Sequence, residues 1–226
     1  MITKKNISAM AFLLLIAGVS HANHPRLFEV TITNVTRAQA FTPQLVVTHT
    51  SEVSIFALGT PASLALEVMA EGGDTSGLTT ELLSDPLEIS DILTIPGLLL
   101  PGESVTVMVE ASRHHRQLTV AAMLIPTNDT FFALAGVRLP GKKPKTFSAL
   151  AYDSGTEAND QNCLNIPGPR CGGEGHSPGP NDGDEGYVYI SNGFHELPEA
   201  DFGEVLGPHK YGWLNPVAQV VVSRVD

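Results

Sequence analysis

Acidic and amide side chains are concentrated in one short stretch of the chain, residues 152–160, which reads Tyr-Asp-Ser-Gly-Thr-Glu-Ala-Asn-Asp. The stretch follows an apolar run and places three carboxylates and an amide around Gly155. Calcium takes about six to eight oxygen ligands, and alternate residues of a tight loop can direct carboxylate, amide and carbonyl oxygens at one point. A second acidic turn, residues 127–130, offers further oxygens. The pattern fits a hard-cation site, but it also fits two solvated turns, because Asp, Asn and Gly favour turns generally.

The amino terminus has the features of a secretory signal. Lys4 and Lys5 precede an apolar run at residues 10–19, and Ser20-His21-Ala22 supplies the small residues that a signal peptidase reads. This pattern predicts a signal peptide at residues 1–22. The apolar run is too short to cross a bilayer, and the sequence has no second uninterrupted run of about 18 apolar residues. We therefore expect a secreted or periplasmic protein with no membrane span.

The sequence contains two cysteines, Cys163 and Cys171, and both follow the predicted signal peptide. In an oxidising compartment two such cysteines favour a disulfide, which here would close a small Pro- and Gly-rich loop. A redox-active pair is the alternative, although the spacing is not Cys-x-x-Cys.

Charge and length restrict the possible classes of protein. The formal net charge of the 226-residue chain is −11, and the predicted cleavage would remove two lysines and no acidic residue. Such a balance argues against nucleic acid or anionic lipid as a partner, because both require clustered Lys and Arg. The one basic cluster, Lys142, Lys143 and Lys145, lies in a Pro- and Gly-containing segment that is typical of a solvated loop. The remaining residues, 23–226, suit a single domain with one core.

Hydrophobic periodicity predicts an all-β domain. Residues 28–35 alternate between apolar and polar side chains with the period of two expected of a half-buried strand. Six further runs separated by Pro, Gly, Asn and Asp look similar and together suggest an antiparallel β-sandwich: residues 45–49, 104–110, 117–125, 147–151, 187–191 and 218–225.

Two segments depart from the strand pattern. Residues 61–71 begin with proline, continue with good helix formers and are followed by two glycines, which predicts a short helical insertion, and residues 78–83 could add a second helical turn. Residues 157–186 are rich in Gly, Pro, Asn and Asp. Because strands follow this segment, we interpret it as a long loop within the domain, and a cation or the disulfide would hold it in place.

The sequence contains no recognisable catalytic motif. It has neither a Gly-x-Ser-x-Gly nucleophile elbow nor a His-Glu-x-x-His zinc motif, so we expect a protein that is not an enzyme. The alternative is a redox protein, a cupredoxin-like electron-transfer protein, because Cys171 and His176 have a spacing that suits copper. No methionine follows them to supply the axial ligand, however, and Cys163 competes for the thiol.

Taken in order, the residues resemble the spondin domain, which is found at the amino side of the thrombospondin repeats in F-spondins and as a lone secreted domain in bacteria. The resemblance rests on residues 123–132, on Ala-Tyr-Asp-Ser-Gly-Thr-Glu at 151–157, and on residues 28–35, 56–63 and 217–225. It implies a C2-like β-sandwich with a calcium ion in a cleft between loops.

The resemblance also implies a ligand set. The family motif Asp-Ala-Gly-Thr-Asp is similar to residues 153–157, and the family's acidic residue after a Pro-containing turn matches Asp129. The implied calcium ligands are Asp129, Asp153 and Glu157. Glu157 is one methylene longer than the family's aspartate, and Thr130 stands where the family has tryptophan. By analogy we expect a monomeric module that binds an extracellular, cell-surface or matrix partner, with a purely structural metal as the nearest alternative.

Overall fold

The computed structural model of the chain describes residues 25–225, and the predicted signal peptide lies outside them. The strands are β1 (Arg26–Asn34), β2 (Ala40–Phe41), β3 (Gln44–His49), β4 (Ile89–Ile95), β5 (Ser104–Ala111), β6 (Gln117–Ile125), β7 (Thr130–Arg138), β8 (Lys145–Asp153), β9 (Tyr189–Ile190) and β10 (Ala218–Arg224). The helices are α1 (Leu64–Gly72), α2 (Ser76–Leu83) and the single turns α3 (Gly168–Cys171) and α4 (Pro208–Tyr211).

The strands form one antiparallel sheet that folds over on itself. Its order is β4-β3-β6-β7-β8-β10-β1-β5, with β2 paired to β6 and β9 paired to β8. The first and last strands of this order, β4 and β5, lie close together. The Glu110 amide of β5 donates to Asp91 Oδ2 of β4 at 2.9 Å. The Thr48 hydroxyl of β3 donates to the Glu110 carbonyl at 2.5 Å. The result is a sandwich that is nearly closed into a barrel, as the all-β prediction required.

The main core lies between the two halves of the folded sheet. Val30 and Ile32 of β1 and Val220 of β10 face Val120 of β6 and Phe132 of β7 there, and all of them are buried. The alternating pattern of β1 and β10 arises because one face of each strand is buried while the other is partly exposed. This is the arrangement that the period-two pattern predicted.

A second core covers the opposite face of β3, β6 and β7. Leu66 and Met69 of α1 and Leu78 of α2 pack there against Leu45 of β3 and Phe131 of β7. Strands that are buried on both faces lose the alternation and read as continuous apolar runs. This explains why β6 is almost wholly apolar and why β7 was not predicted as a strand.

The helical insertion is confirmed. The Ser63 side chain caps α1 by accepting from the Leu66 amide, and Gly73 ends the helix in a left-handed conformation with φ +74°. Both features follow from the ordinary preferences of Ser at a helix start and Gly after a helix end.

The long loop after β8 is ordered by its own small core. Ile166 packs with Leu206 and Tyr211, beside the disulfide between Cys163 and Cys171. The predicted pairing of the two cysteines is therefore confirmed. Within residues 25–225, no helix has the length and apolar character needed to cross a membrane.

Candidate metal centre

Two neighbouring strands bring the acidic residues of the two predicted turns together. Asp129 immediately precedes β7, and Asp153 is the last residue of β8. The register of this antiparallel pair places Thr130 opposite Asp153, and the Ser154 amide donates to the Asp129 carbonyl at 3.2 Å. The two turns, 25 residues apart in sequence, therefore meet at one end of the sandwich.

The two carboxylate oxygens of Asp129 have different surroundings. Oδ2 accepts from the Ser154 hydroxyl at 3.0 Å and from the amides of Thr156 and Glu157 at 2.8 and 3.2 Å. Oδ1 is buried and has no hydrogen-bond partner among the described residues. The three donors fix the orientation of the side chain and leave one oxygen for another ligand.

The backbone of the turn depends on Gly155. This residue has a positive φ of +67°, and a Cβ atom built on it would lie 2.3 Å from the Tyr187 carbonyl oxygen. Its own carbonyl accepts from the Gly186 amide at 2.8 Å. Only glycine fits this position, since both the conformation and the close approach exclude a side chain.

Asp153 and Glu157 complete the predicted set of acids. Asp153 accepts from the Gly155 amide and from the Asn159 side chain, each at 3.0 Å. Glu157 Oε1 accepts from the Ser177 hydroxyl, whereas its Oε2 is buried and has no partner among the described residues. The structure thus places all three predicted residues at the end of the sandwich where the two turns meet, and two of them carry an unpaired buried oxygen. Within residues 25–225, however, their ligand atoms do not form a group whose members all lie within 4.8 Å of one another.

The surroundings of the turn disfavour the ionised form of its carboxyl groups. Burial, and secondarily the charge of Asp129, raises the pKa of Asp153 to about 8. Burial also raises the pKa of Glu157 to about 8, with smaller contributions from the charges of Glu71 and Asp129. The pKa of Asp129 is raised by burial despite its hydrogen bonds. Such a group of acids requires compensation by protons or by a cation.

The donor set of the turn suits a hard cation. The atoms available at the turn are carboxylate oxygens, and hard cations prefer oxygen ligands. An open polar cleft of about 260 Å³ lies beside Glu157 and is lined in part by Asn128, Asp160 and Asp182. The cleft reaches Glu157, whereas Asp129 and Asp153 do not line it.

Sequence reasoning missed the residues that the helical insertion and the long loop contribute. Glu71 of α1 is buried, and its Oε2 accepts from the Ser177 amide at 2.9 Å. Ser177 therefore bridges Glu71 and Glu157. The sequence did contain a signal for Glu71, because this acidic residue follows apolar residues on a predicted helix. Leu66, Met69 and Ala70 of the same helix are buried with it.

The copper alternative loses a necessary ligand. A blue-copper centre requires a cysteine thiolate, and Cys171 is bonded to Cys163. His176 instead lies beside Glu67, with Nε2 at 3.0 Å from Glu67 Oε1.

The fold and the turn define an all-β sandwich with a buried acidic cluster at one end. A family model described as Spondin_N, the spondin N-terminal domain, matches residues 13–160, which is more than half of the chain. The chain belongs to this family. Spondin domains are extracellular and generally not enzymes. No curated protein matches the chain. The family match includes Asp129, Asp153 and Glu157 and ends before His176.

Proposed function

We propose that this protein is an exported calcium-binding module that uses the ordered loops at one end of its sandwich to bind an extracellular, cell-surface or matrix partner. Asp129, Asp153 and Glu157 hold the ion. The module acts as a monomer and is secreted or periplasmic. Membership of the spondin family supports the extracellular setting.

One observation carries the calcium part of the proposal. Asp129 Oδ1 and Glu157 Oε2 are buried carboxylate oxygens without a hydrogen-bond partner among the described residues. Leaving a buried charged group unsatisfied costs several kcal/mol, so native proteins pair such groups or use them to coordinate metals. The Asp129 side chain is already held by three donors, which is the preorganisation that a metal ligand needs.

Thermal unfolding in millimolar calcium and in EDTA tests the site. An ion that binds only the native state stabilises it by RT ln(1 + [L]/Kd), about 2.7 kcal/mol at a hundredfold excess over Kd. Wild-type protein should therefore melt several degrees higher in calcium. Asp129→Asn and Glu157→Gln keep the side-chain shape and remove the charge, so each should abolish most of this shift.

The matched control is Asp85→Asn, which removes the charge of an exposed aspartate after α2. This variant should keep the full calcium shift. If calcium has no effect on wild-type protein, or if all three variants respond like wild type, the site assignment is wrong.

A metal that serves only to order the loops would give the same melting result. The two functions differ in partner binding. We expect immobilised wild-type protein to retain matrix or cell-surface material in calcium and to release it in EDTA, and Asp129→Asn to retain none. Calcium-dependent stability without calcium-dependent retention would support the structural role alone.

A further inference from the structure

A second group of potential metal ligands lies between α1 and the long loop. Glu67, Glu71 and His176 each offer one ligand atom, and these atoms all lie within 4.8 Å of one another. Within residues 25–225 this is the one group of three or more His, Cys, Asp or Glu side chains with that property. His176 Nε2 is 3.0 Å from Glu67 Oε1 and 4.0 Å from Glu71 Oε2.

A histidine–glutamate ion pair accounts for only part of this arrangement. Glu71 is 1% exposed, and its Oε1 has no hydrogen-bond partner among the described residues. The oxygen 4.0 Å from His176 Nε2 is the other one, Oε2, and this distance is too long for a hydrogen bond. A buried carboxylate with a free oxygen next to an imidazole is an incomplete site unless a further ligand satisfies it.

Helix geometry and close packing hold the three side chains in place. Glu67 and Glu71 are four residues apart on α1 and so project from the same side of the helix. The loop segment before His176 lies directly on the end of α1, because a Cβ atom on Gly72 would be 2.4 Å from the Gly175 carbonyl oxygen. The Ser177 amide donates to Glu71 Oε2 at 2.9 Å, which fixes the next residue of the loop as well.

We infer that Glu67, Glu71 and His176 form a second metal site, and that this site takes zinc. Zinc accepts imidazole nitrogen and carboxylate oxygen at about 2.0–2.2 Å. Ligand atoms around a tetrahedral zinc are then about 3.4 Å apart, a value between the 3.0 and 4.0 Å that separate His176 Nε2 from the two carboxylate oxygens. An imidazole ligand separates this site from the carboxylate turn at Asp129, since calcium prefers oxygen. Zinc bound here would join the long loop to α1.

Calorimetric titration of the purified protein with zinc in the presence of millimolar calcium tests the inference. We expect one zinc ion to bind per chain. His176→Gln and Glu71→Gln should each weaken zinc binding by about a hundredfold or more, because loss of a direct ligand costs more than the tenfold to hundredfold typical of outer residues. His195→Gln, in which an exposed loop histidine is replaced, is the matched control and should bind zinc like wild type.

Other outcomes would overturn the inference. If wild-type protein binds no zinc, or if His176→Gln binds it unchanged, no such site exists. Asp153→Asn separates the two metals, because it should lose calcium binding and keep zinc binding. Loss of zinc binding in Asp153→Asn would mean that the two clusters form one centre rather than two.

Discussion

Ionising Asp153 or Glu157 costs more free energy than ionising an ordinary surface carboxyl group. Each has lost most of its contact with water, and each lies near other acids, so the pKa of each rises to about 8. The residues can be neutralised by taking up protons or by sharing a cation. Because metal ligands must be deprotonated, the two processes compete.

This competition predicts the pH dependence of stability. A carboxyl group whose pKa is higher in the folded than in the unfolded state binds more protons when folded, so its stabilising contribution is complete below the unfolded pKa and is lost as pH rises. Without metal, the protein should lose stability between about pH 4, the unfolded value, and about pH 8. Melting temperatures in EDTA should fall by several degrees across this range.

Calcium should flatten or reverse this dependence, because at higher pH it replaces the lost protons. Melting curves in calcium and in EDTA should therefore diverge as pH rises and converge near pH 5. An EDTA curve that is flat across this range would contradict the raised pKa values of Asp153 and Glu157.

At the scale of elements, the contact between α1 and the long loop connects the two candidate metal sites. Ser177 lies in this contact, with its amide on Glu71 and its hydroxyl on Glu157. Neither α1 nor the loop belongs to the strand pair that carries Asp129 and Asp153. The acidic end of the sandwich is thus completed by an insertion and a loop that are distant in sequence.

A pair of glycine substitutions tests how tightly the loop lies on α1. Alanine normally stabilises a helix by up to about 1 kcal/mol relative to glycine. Gly77→Ala of α2 should show this gain, because its new Cβ would make only ordinary contacts with Ala65 at 3.4 Å. Gly72→Ala should instead destabilise the protein by about 1–3 kcal/mol, because the Gly175 backbone must move.

Urea unfolding measures both effects, and limited proteolysis of the long loop shows where the change occurs. The loop should be cleaved faster in Gly72→Ala than in wild type or in Gly77→Ala. Equal stability gains in the two variants would mean that the loop does not rest on the helix.

At the scale of the whole molecule, the site is anchored in the middle of the sheet. β7 and β8 are central strands, flanked by β6 and β10, and β7 packs on both of its faces. Loops joined to rigid central strands hold their side chains more precisely than free loops do. The hydrogen bonds from Ser154, Thr156 and Glu157 to Asp129 are consistent with this rigidity.

Packing of the main core should therefore affect both the free energy of unfolding and the geometry of the acidic turn. Phe132 is fully buried in β7, with its ring 4.3 Å from that of Phe41. Phe132→Ala should reduce the free energy of unfolding by about 3–5 kcal/mol and weaken calcium binding, because it leaves a cavity three residues after Asp129. Phe202, which is 79% exposed, provides the control.

Phe202→Ala should change stability by no more than about 0.5 kcal/mol. The comparison is made by urea unfolding and calcium titration of both variants. Similar losses in the two would show that the core does not dominate stability as the packing indicates.

The sequence by itself determined the features that depend on local pattern. Alternating apolar residues predicted β1 and β10, the paired glycines located the end of α1, and the Asp-Ser-Gly-Thr-Glu motif located the acidic turn. These features are readable because each follows from neighbouring side chains and backbone preferences alone. The start of α1 was predicted too early, because Pro61 lies outside the helix and Ser63 caps it. Three strands escaped prediction: β2, which has only two residues, β4, whose alternation is irregular, and β7, whose two buried faces remove the alternation.

Only the tertiary structure decided which distant residues share a site. The register of β7 and β8 placed Asp129 against the turn after Asp153, and the packing of the long loop brought His176 and Ser177 to Glu67 and Glu71. No local pattern contains this information, because histidine in a loop and glutamate on a helix are usually solvated. Among the residues of this helix–loop cluster, Glu71 is the one that is nearly fully buried with a carboxylate oxygen lacking a partner among the described residues, and this feature exists only once the chain has folded.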